Sequence, residues 1–239
     1  MHHIEHEGRR IEFDLRYSRR RKKSISIRIS RDGDVICSAP ERASQAYIHA
    51  VIRKRAHWIA RHLSRFEAQA SVPAPTYRHG EKHLYMGRAL ALEVAKSTSR
   101  RISVEARDAS IRIVSRHTGA DAIRNALLAW YRRQALTLFN ERVQKIMAEI
   151  PWLQGQEVPE LRVRRMKSRW GSCSSQGVIT LNLHLIKAPL RCIDYVITHE
   201  LCHLQEHNHG PRFYALLTQQ MPEWKQIKRE LEDNPEILR

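Results

Sequence analysis

Thr198-His199-Glu200-Leu201-Cys202-His203-Leu204-Gln205-Glu206-His207-Asn208-His209-Gly210 contains His-Glu-x-x-His, followed closely by further histidines. On a helix, residues four apart differ by about 40° in direction and about 6 Å in height, so His199 and His203 can turn their rings toward one metal ion. Glu200 then lies beside them without having to ligate. A third ligand requires the helix to break. Continued as helix, His209 would sit roughly 9 Å beyond His203, whereas zinc ligands lie at about 2 Å from the ion. Asn208, Gly210 and Pro211 suit such a break: Asn and Gly tolerate the left-handed conformation that ends helices, and Pro fits the first turn of a new one. The reading is therefore a helix followed by a turn at 208–211 that returns His209 to the ion. His207, about 12 Å along the helical stripe from His199, is the weaker ligand. Ile193, Ile197, Leu201 and Leu204 form an apolar stripe opposite the histidines, which gives this helix a core face. Three His with one Glu favour a single zinc ion.

Outward from this segment, Pro189 opens the helix, and Phe213, Leu216 and Leu217 continue into another beyond the turn. Pro222 begins the last one. Upstream, Leu161 to Lys167 alternates with Arg and predicts a strand, Ser168 to Gly177 a loop, and Val178 to Ile186 a second strand. That strand would face Ile179, Leu181, Leu183 and Leu185 one way and Thr180, Asn182, His184 and Ile186 the other. Ala120 to Ile150 reads as a long helix stopped by Pro151, burying Ile123, Leu127, Trp130, Tyr131, Leu138, Val143 and Ile146. Residues 82–116 read as β: Leu84-Tyr85-Met86-Gly87-Arg88 turns into Ala91 to Val94, and Ile102 to Glu105 pairs with Ile111 to Val114 across Asp108-Ala109-Ser110. The first forty residues also read as β, with a turn at Arg31-Asp32-Gly33-Asp34. One helix then runs from Ser44, its N-cap, to Phe66, with Tyr47, Val51, Trp58, Ile59 and Leu63 on its apolar face. Val72-Pro73-Ala74-Pro75 is a stiff connector. No internal repeat is evident. The expected division is 1–75, basic strands plus a helix; 76–118, a hairpin region packed with the first; and 119–239, carrying the chemistry.

At 239 residues the chain has ample material for a core, and its formal charge of +17 is carried mainly by arginine. Such a balance suits a polyanionic partner, DNA or RNA, or a generally basic solvated surface. The runs Arg19-Arg20-Arg21-Lys22-Lys23 and Arg53-Lys54-Arg55 are the candidate contacts for nucleic acid. No apolar stretch approaches the roughly 20 residues that span a bilayer, so no membrane partner is expected. Met1-His2-His3-Ile4-Glu5 lacks the order of a secretory signal, and a cytoplasmic residence is the expectation. Cys37, Cys173, Cys192 and Cys202 show no C-x-x-C spacing, which argues against a zinc ribbon or a disulfide framework. Cys202 points off the ligand face and reads as a small buried residue.

Arg165-Met-Lys-Ser-Arg-Trp-Gly-Ser-Cys173, Leu181-Asn182, Leu185-Ile186, Ala188-Pro189, Asp194-Tyr195-Val196, His199-Glu200-Leu201-x-His203-Leu204 and Asn208-His209 together resemble the YgjP-like metallopeptidases, distant relatives of the SprT and Spartan proteases. Ser-Ala-Pro near 40, Trp58-Ile59, Tyr85-Met-Gly-Arg88 and Trp130-Tyr131-Arg132 extend the likeness over nearly the whole chain. The resemblance implies an α+β fold, with a zincin-like domain at the C-terminus behind a smaller basic β-rich region with a helix. It also implies His199, His203 and His209 as zinc ligands and Glu200 as catalytic acid/base. Cys202 and Gly210 stand where the family more often has Ala and Ser, and neither departure removes a ligand or the base. Glu206 occupies the place where metzincins need Gly.

The expected activity is zinc-dependent hydrolysis of a peptide or protein, with water activated at the ion and Glu200 accepting its proton. The strand 178–186 is the expected edge for an extended substrate. Arg169, Trp170, Asn182, His184, Tyr195 and Tyr214 are the candidate cleft residues. Arg169, His184, Tyr195, His207 and Tyr214 are the groups considered for the oxyanion. Asp194 reads as a first-turn residue or a partner of a ligand His. The competing class is a nucleic-acid-associated binding module whose metal site is structural or vestigial. Oligomeric state is not read from these residues.

Overall fold

A computed structural model describes residues 2–30, 33–71, 73–166 and 169–238. The expected turn at Arg31-Asp32, Val72 of the connector, Lys167 at the end of the expected strand and Ser168 at the start of the loop lie outside the described residues. These residues form six α-helices and three small sheets, a mixed α+β architecture. The chain divides into two compact units, Met1–Pro73 and Ala74–Arg239. No helix among the described residues is long and apolar enough to cross a membrane.

In the first unit β1 (His2–His6) and β2 (Arg9–Ser18) form a hairpin. β2 runs parallel to β4 (Val35–Pro40), and β3 (Ser26–Ile29) lies antiparallel on the far side of β4. Val35, Cys37 and Ala39 alternate inward with the period of a strand. The expected single helix is two, α1 (Gln45–Lys54) and α2 (Ala56–Ser71), parted at Arg55 where φ is −106° and ψ 4°. Ser44 caps α1 as expected, accepting from the Tyr47 N–H at 3.3 Å. The buried face is Ile48, Ile52, Ala56 and Ile59, while Tyr47 is 52% exposed. All four side chains reach one core with Ile11 and Phe13.

The second unit begins with β5 (Lys82–Tyr85), β6 (Arg88–Lys96), β7 (Ser103–Ala106) and β8 (Ser110–Ser115). Their order, β5-β6-β8-β7, repeats that of the first sheet: an antiparallel hairpin, then a parallel pair, then an antiparallel edge. The hairpin turns match as well. Glu7-Gly8 has φ of 50° and 75°, Met86-Gly87 has 50° and 78°, and each is followed by Arg. The two sheets share pairing and turn geometry, not residue pattern.

Within the region 76–118, Leu90, Leu92, Ile111 and Ile113 share a core with α3 (Ala120–Glu149), whose buried side carries Ile123, Leu127, Trp130, Tyr131, Phe139 and Val143. The β5–β6 turn also bonds to the segment before the His-Glu-x-x-His helix: the Met86 N–H donates to Ile186 O and the Gly87 N–H to Lys187 O, both at 2.9 Å. A Cβ on Gly87 would lie 2.9 to 3.2 Å from Pro189, so only glycine allows this approach.

The third sheet holds β9 (Leu161–Arg164), β10 (Gly171–Cys173) and β11 (Ile179–Asn182) in the order β10-β11-β9. The strand expected to reach Ile186 stops at Asn182, and Leu183–Lys187 is a 3-10 helix buried on all sides. The Asn182 side chain caps it, accepting from the His184 N–H at 3.2 Å. β11 is central, with β10 on one side and β9 on the other, so the expected substrate edge is not an edge; β10 is.

Three helices complete the unit: α4 (Leu190–Cys202), α5 (Pro211–Gln220) and α6 (Trp224–Glu232). Among the described residues, the hydrogen-bond partner of the Asp194 carboxylate of α4 is not a histidine. It takes a two-pronged hydrogen bond from Arg142 of α3, Nε at 2.7 Å and Nη2 at 2.9 Å. Both side chains are under one fifth exposed. Asp194→Ala would strand that guanidinium, and urea denaturation should show a loss of about 2–4 kcal/mol.

Candidate metal centre

α4 carries His199 and Glu200 on its last turn and ends earlier than expected, at Cys202. There the bonding tightens: the His203 N–H donates to Glu200 O at 3.2 Å and the Leu204 N–H to Leu201 O at 2.9 Å, three residues back. His207 is consequently off the helical stripe. The break spans 203–210 rather than 208–211, with Gly210 as the N-cap of α5 and Pro211 in its first turn. His209 still returns to the other two. Its Nε2 lies 3.0 Å from Nε2 of His199, and one ligand atom from each of His199, His203 and His209 lies within 4.8 Å of the others.

Phe213, fully buried on α5, packs its ring 4.9, 4.5 and 4.7 Å from His199, His203 and His209. It is the floor that sets their tilt.

These residues fit a divalent ion. Four ligands arranged tetrahedrally at about 2.0–2.1 Å place nitrogen atoms about 3.3 Å apart, close to the facing pair. His203 Nδ1 sits 3.0 Å from Glu206 O; a carbonyl only accepts, so Nδ1 is the donor and, in the neutral ring, Nε2 is the nitrogen that could ligate. Burial first, then His203, His209 and Lys228, push His199 down to about 3, and burial, His203 and Lys228 lower His209. Neutral imidazole is the ligating form.

Glu200 is 4% exposed, and burial pushes its carboxyl up to about 8 against the opposing pull of Arg169 and a bond from the Cys173 N–H. Gly171 makes room for it. A Cβ there would stand 2.5 Å from Glu200 Oε1, 2.7 Å from Cγ and 2.8 Å from Cδ. Gly171→Ala should therefore displace the carboxylate and lower peptidase turnover by about 100-fold, with zinc affinity held within about threefold by titration.

The cleft in front of these groups has a volume of about 580 Å³. Arg169, Trp170 and β10 line it, together with Lys228, Leu231 and Glu232 of α6. Tyr195 and His207 also face it. Three expected cleft residues do not line it. Asn182 is fully buried behind the cleft loop: its Nδ2 donates to Met166 O at 2.9 Å and Arg169 O at 3.0 Å, and its Oδ1 accepts from the Met166 N–H at 3.3 Å. His184 lines a different cavity. Tyr214 lies 6.2 Å from the His209 ring but stacks on Trp224 at 5.4 Å.

Gly171, Phe213 and the α6 residues were missed as site residues. Glycine directly after Trp170 was the one usable signal. In the first unit Arg19 to Lys23 form the loop between β2 and β3, exposed except for half-buried Arg21, and Arg19 bonds Glu41 at 3.0 Å. Arg53, Lys54 and Arg55 are exposed at the end of α1.

Converging imidazoles beside a buried carboxylate, in a cleft with an exposed sheet edge, define a candidate centre of the metallopeptidase class. The chain belongs to the YgjP-like family: the profile described as "YgjP-like, metallopeptidase domain" matches residues 23–234. It is a metal-dependent peptidase, and its family implies a divalent metal, usually zinc. Among solved structures it is similar to the metallopeptidase zymogen jannalysin of Methanocaldococcus jannaschii, at 22% identity over 39% of this chain and 92% of that one, TM-score 0.34. The corresponding zymogen abylysin of Pyrococcus abyssi matches at 23% identity over 39% and 88%, TM-score 0.33. No curated protein matches the chain.

Proposed function

We propose that the chain is a zinc peptidase in which His199, His203 and His209 hold one ion, Glu200 moves the proton, and residues 119–239 form the zincin-like catalytic part. The observation that carries this reading is the convergence of three ligand atoms within 4.8 Å beside a carboxyl that is almost fully buried. A bound zinc ion supplies Lewis acidity, acidifying water and polarising a carbonyl oxygen. A dication nearby also adds to the pull of Arg169 and favours the carboxylate of Glu200.

The remaining steps fall to the chain. Glu200 accepts the water's proton as the carbonyl is attacked and passes it to the leaving nitrogen. The Cys173 N–H and Arg169 hold that carboxylate in place. Of the groups considered for the oxyanion, Arg169, Tyr195 and His207 line the cleft, and His184 and Tyr214 do not. Tyr195 is favoured: burial first, then nearby acids and Tyr214, raise its phenol, so it remains an O–H donor one turn before His199. An extended peptide would add to β10, the sheet edge on the cleft wall.

The test is hydrolysis of an unfolded protein, which should stop on chelation and return with zinc. Turnover that ignores chelation overturns the reading. Recruitment to nucleic acid is a second element, supported by the charge of +17 and the exposed runs at 19–23 and 53–55. It predicts faster hydrolysis with DNA at low salt and loss of that gain as salt rises. If DNA changes nothing at low salt, recruitment is discarded and the peptidase stands.

A further inference from the structure

The first unit holds another cluster of ligand-type side chains. Ligand atoms of His6, Glu7 and His57, one from each, lie within 4.8 Å of one another. Register places His6 at the end of the sheet's core-facing side: His2, Ile4 and His6 stand opposite Phe13, Ile11 and Arg9, and Ile4, Ile11 and Phe13 are buried. α2 lies over that end. Arg9 reaches it with Nη1 2.9 Å from Ser64 Oγ and Nη2 2.6 Å from Glu67 Oε1. His57 stands in its first turn, with its ring centroid 6.3 Å from that of His6. Strand alternation would send residue 7 to the opposite face. With a φ of 50°, Glu7 instead brings its Oε1 to 3.7 Å from His6 Nε2.

Two observations set this cluster apart from an ordinary surface trio. His6 Nε2 is closed off from solvent, yet among the described residues it makes no hydrogen bond, so its lost solvation is not restored. The matching bend in the second sheet carries Tyr85-Met86 where this one carries His6-Glu7, so the turn itself demands neither imidazole nor carboxylate. Donors held tetrahedrally at about 2.0–2.2 Å from one ion stand roughly 3.4 Å apart. The 3.7 Å between His6 and Glu7 is close to that spacing. The two rings, at 6.3 Å, are farther apart than the 5.1 and 5.0 Å of His199 with His203 and His209, so His57 must turn inward to ligate, and binding is weaker than in the cleft. Glu7 and His57 are exposed, and exposed side chains change rotamer at little cost. Two imidazoles and one carboxylate suit zinc over magnesium or calcium, which take oxygen ligands. Beside Gly8 the bend meets open space, which gives an ion a way in.

We propose that His6, Glu7 and His57 bind a zinc ion that ties the β1–β2 hairpin to α2, where Arg9 already clasps it. The site does not rest on the peptidase reading. Zinc titration of the full-length metal-free chain against a chromophoric chelator should count two equivalents, the weaker with a Kd of about 1–10 μM. His57→Ala, at an exposed position, should weaken that equivalent by about tenfold or more and leave hydrolysis of an unfolded protein unchanged. Glu7→Gln should act in the same direction. His3→Ala, on the opposite face of β1, should change neither equivalent. His209→Ala should act on the other equivalent alone, and in that variant added zinc should slow amide exchange across residues 2–9. A single equivalent that His209→Ala removes and His57→Ala spares overturns the proposal and leaves the peptidase reading in place. A single equivalent with the reverse pattern sustains this site and removes the one in the cleft. A weaker equivalent that survives His57→Ala also overturns the proposal, because scattered surface histidines or a second ion in the cleft would then account for it.

Discussion

Glu200→Gln is expected to lower turnover of an unfolded protein by about 1000-fold, while zinc affinity stays within about threefold of the parent. The substitution keeps the shape, and the amide can still accept from the Cys173 N–H, but it cannot take a proton from water or return one to the leaving nitrogen. A zinc-loaded Gln variant with parental turnover would remove Glu200 from the chemistry. The same pair of proteins, metal-free, reports on burial. Glu200 is raised from the ordinary carboxylate range to about 8, so between those limits the folded state holds a proton that the unfolded state has released. Its contribution to stability is therefore full below the unfolded value and lost as pH rises toward 8. The Gln variant lacks this term. Its stability relative to the parent should grow by an amount on the order of a few kcal/mol between pH 4.5 and 8, as urea midpoints would show. His199, lowered to about 3, acts in the opposite sense below its unfolded value, but it is present in both proteins and cancels in the difference.

The second large effect concerns the proposed third ligand. His209→Ala should weaken zinc binding by at least about 100-fold and abolish measurable hydrolysis, while His207→Ala should change zinc affinity by no more than about threefold. Competition with a chromophoric chelator measures both. The contrast is sharp because the two residues are neighbours in sequence and both face the cleft, yet only His209 has a ring nitrogen among the converging ligand atoms. Zinc lost from the His207 variant and kept by the other would reassign the site.

What could be read from the chain follows the range of the interactions involved. Spacing along one helix and the turn chemistry of Asn208, Gly210 and Pro211 are local, and they brought His199, His203 and His209 together in the reading as they are in the fold. The helix end was misplaced because no Gly or Pro marks Cys202; the last turn tightens into three-residue bonding that residue types do not announce. Alternation over 178–186 misled for a related reason. Burial on all sides of Leu183–Lys187 removes the polar face that alternation is meant to detect, and the Asn182 cap ends the strand. His184 was thereby assigned to the cleft, although it lines the other cavity. Phe213 and Gly171 act through tertiary contacts, with three rings in one case and a carboxylate in the other. The glycine after Trp170 marks a close approach without naming Glu200 as its partner, and Phe213, though only four residues beyond His209, reads as one more apolar residue of its helix.

The matching turns of the two four-stranded sheets have met different fates. At Met86-Gly87 the turn is a wedge, pressed so closely against Pro189 that no side chain fits, and the helix bearing His199 starts from that abutment. At Glu7-Gly8 the same backbone bend ends in open space, with nothing within 4 Å of where a Cβ would be. The same bend thus serves as a keystone in one sheet and leaves a vacant corner in the other. Grafting a short flexible peptide between Glu7 and Gly8 should leave hydrolysis intact, whereas the same graft between Met86 and Gly87 should cost both folding yield and activity, because it lifts the seat on which the ligand helix is set.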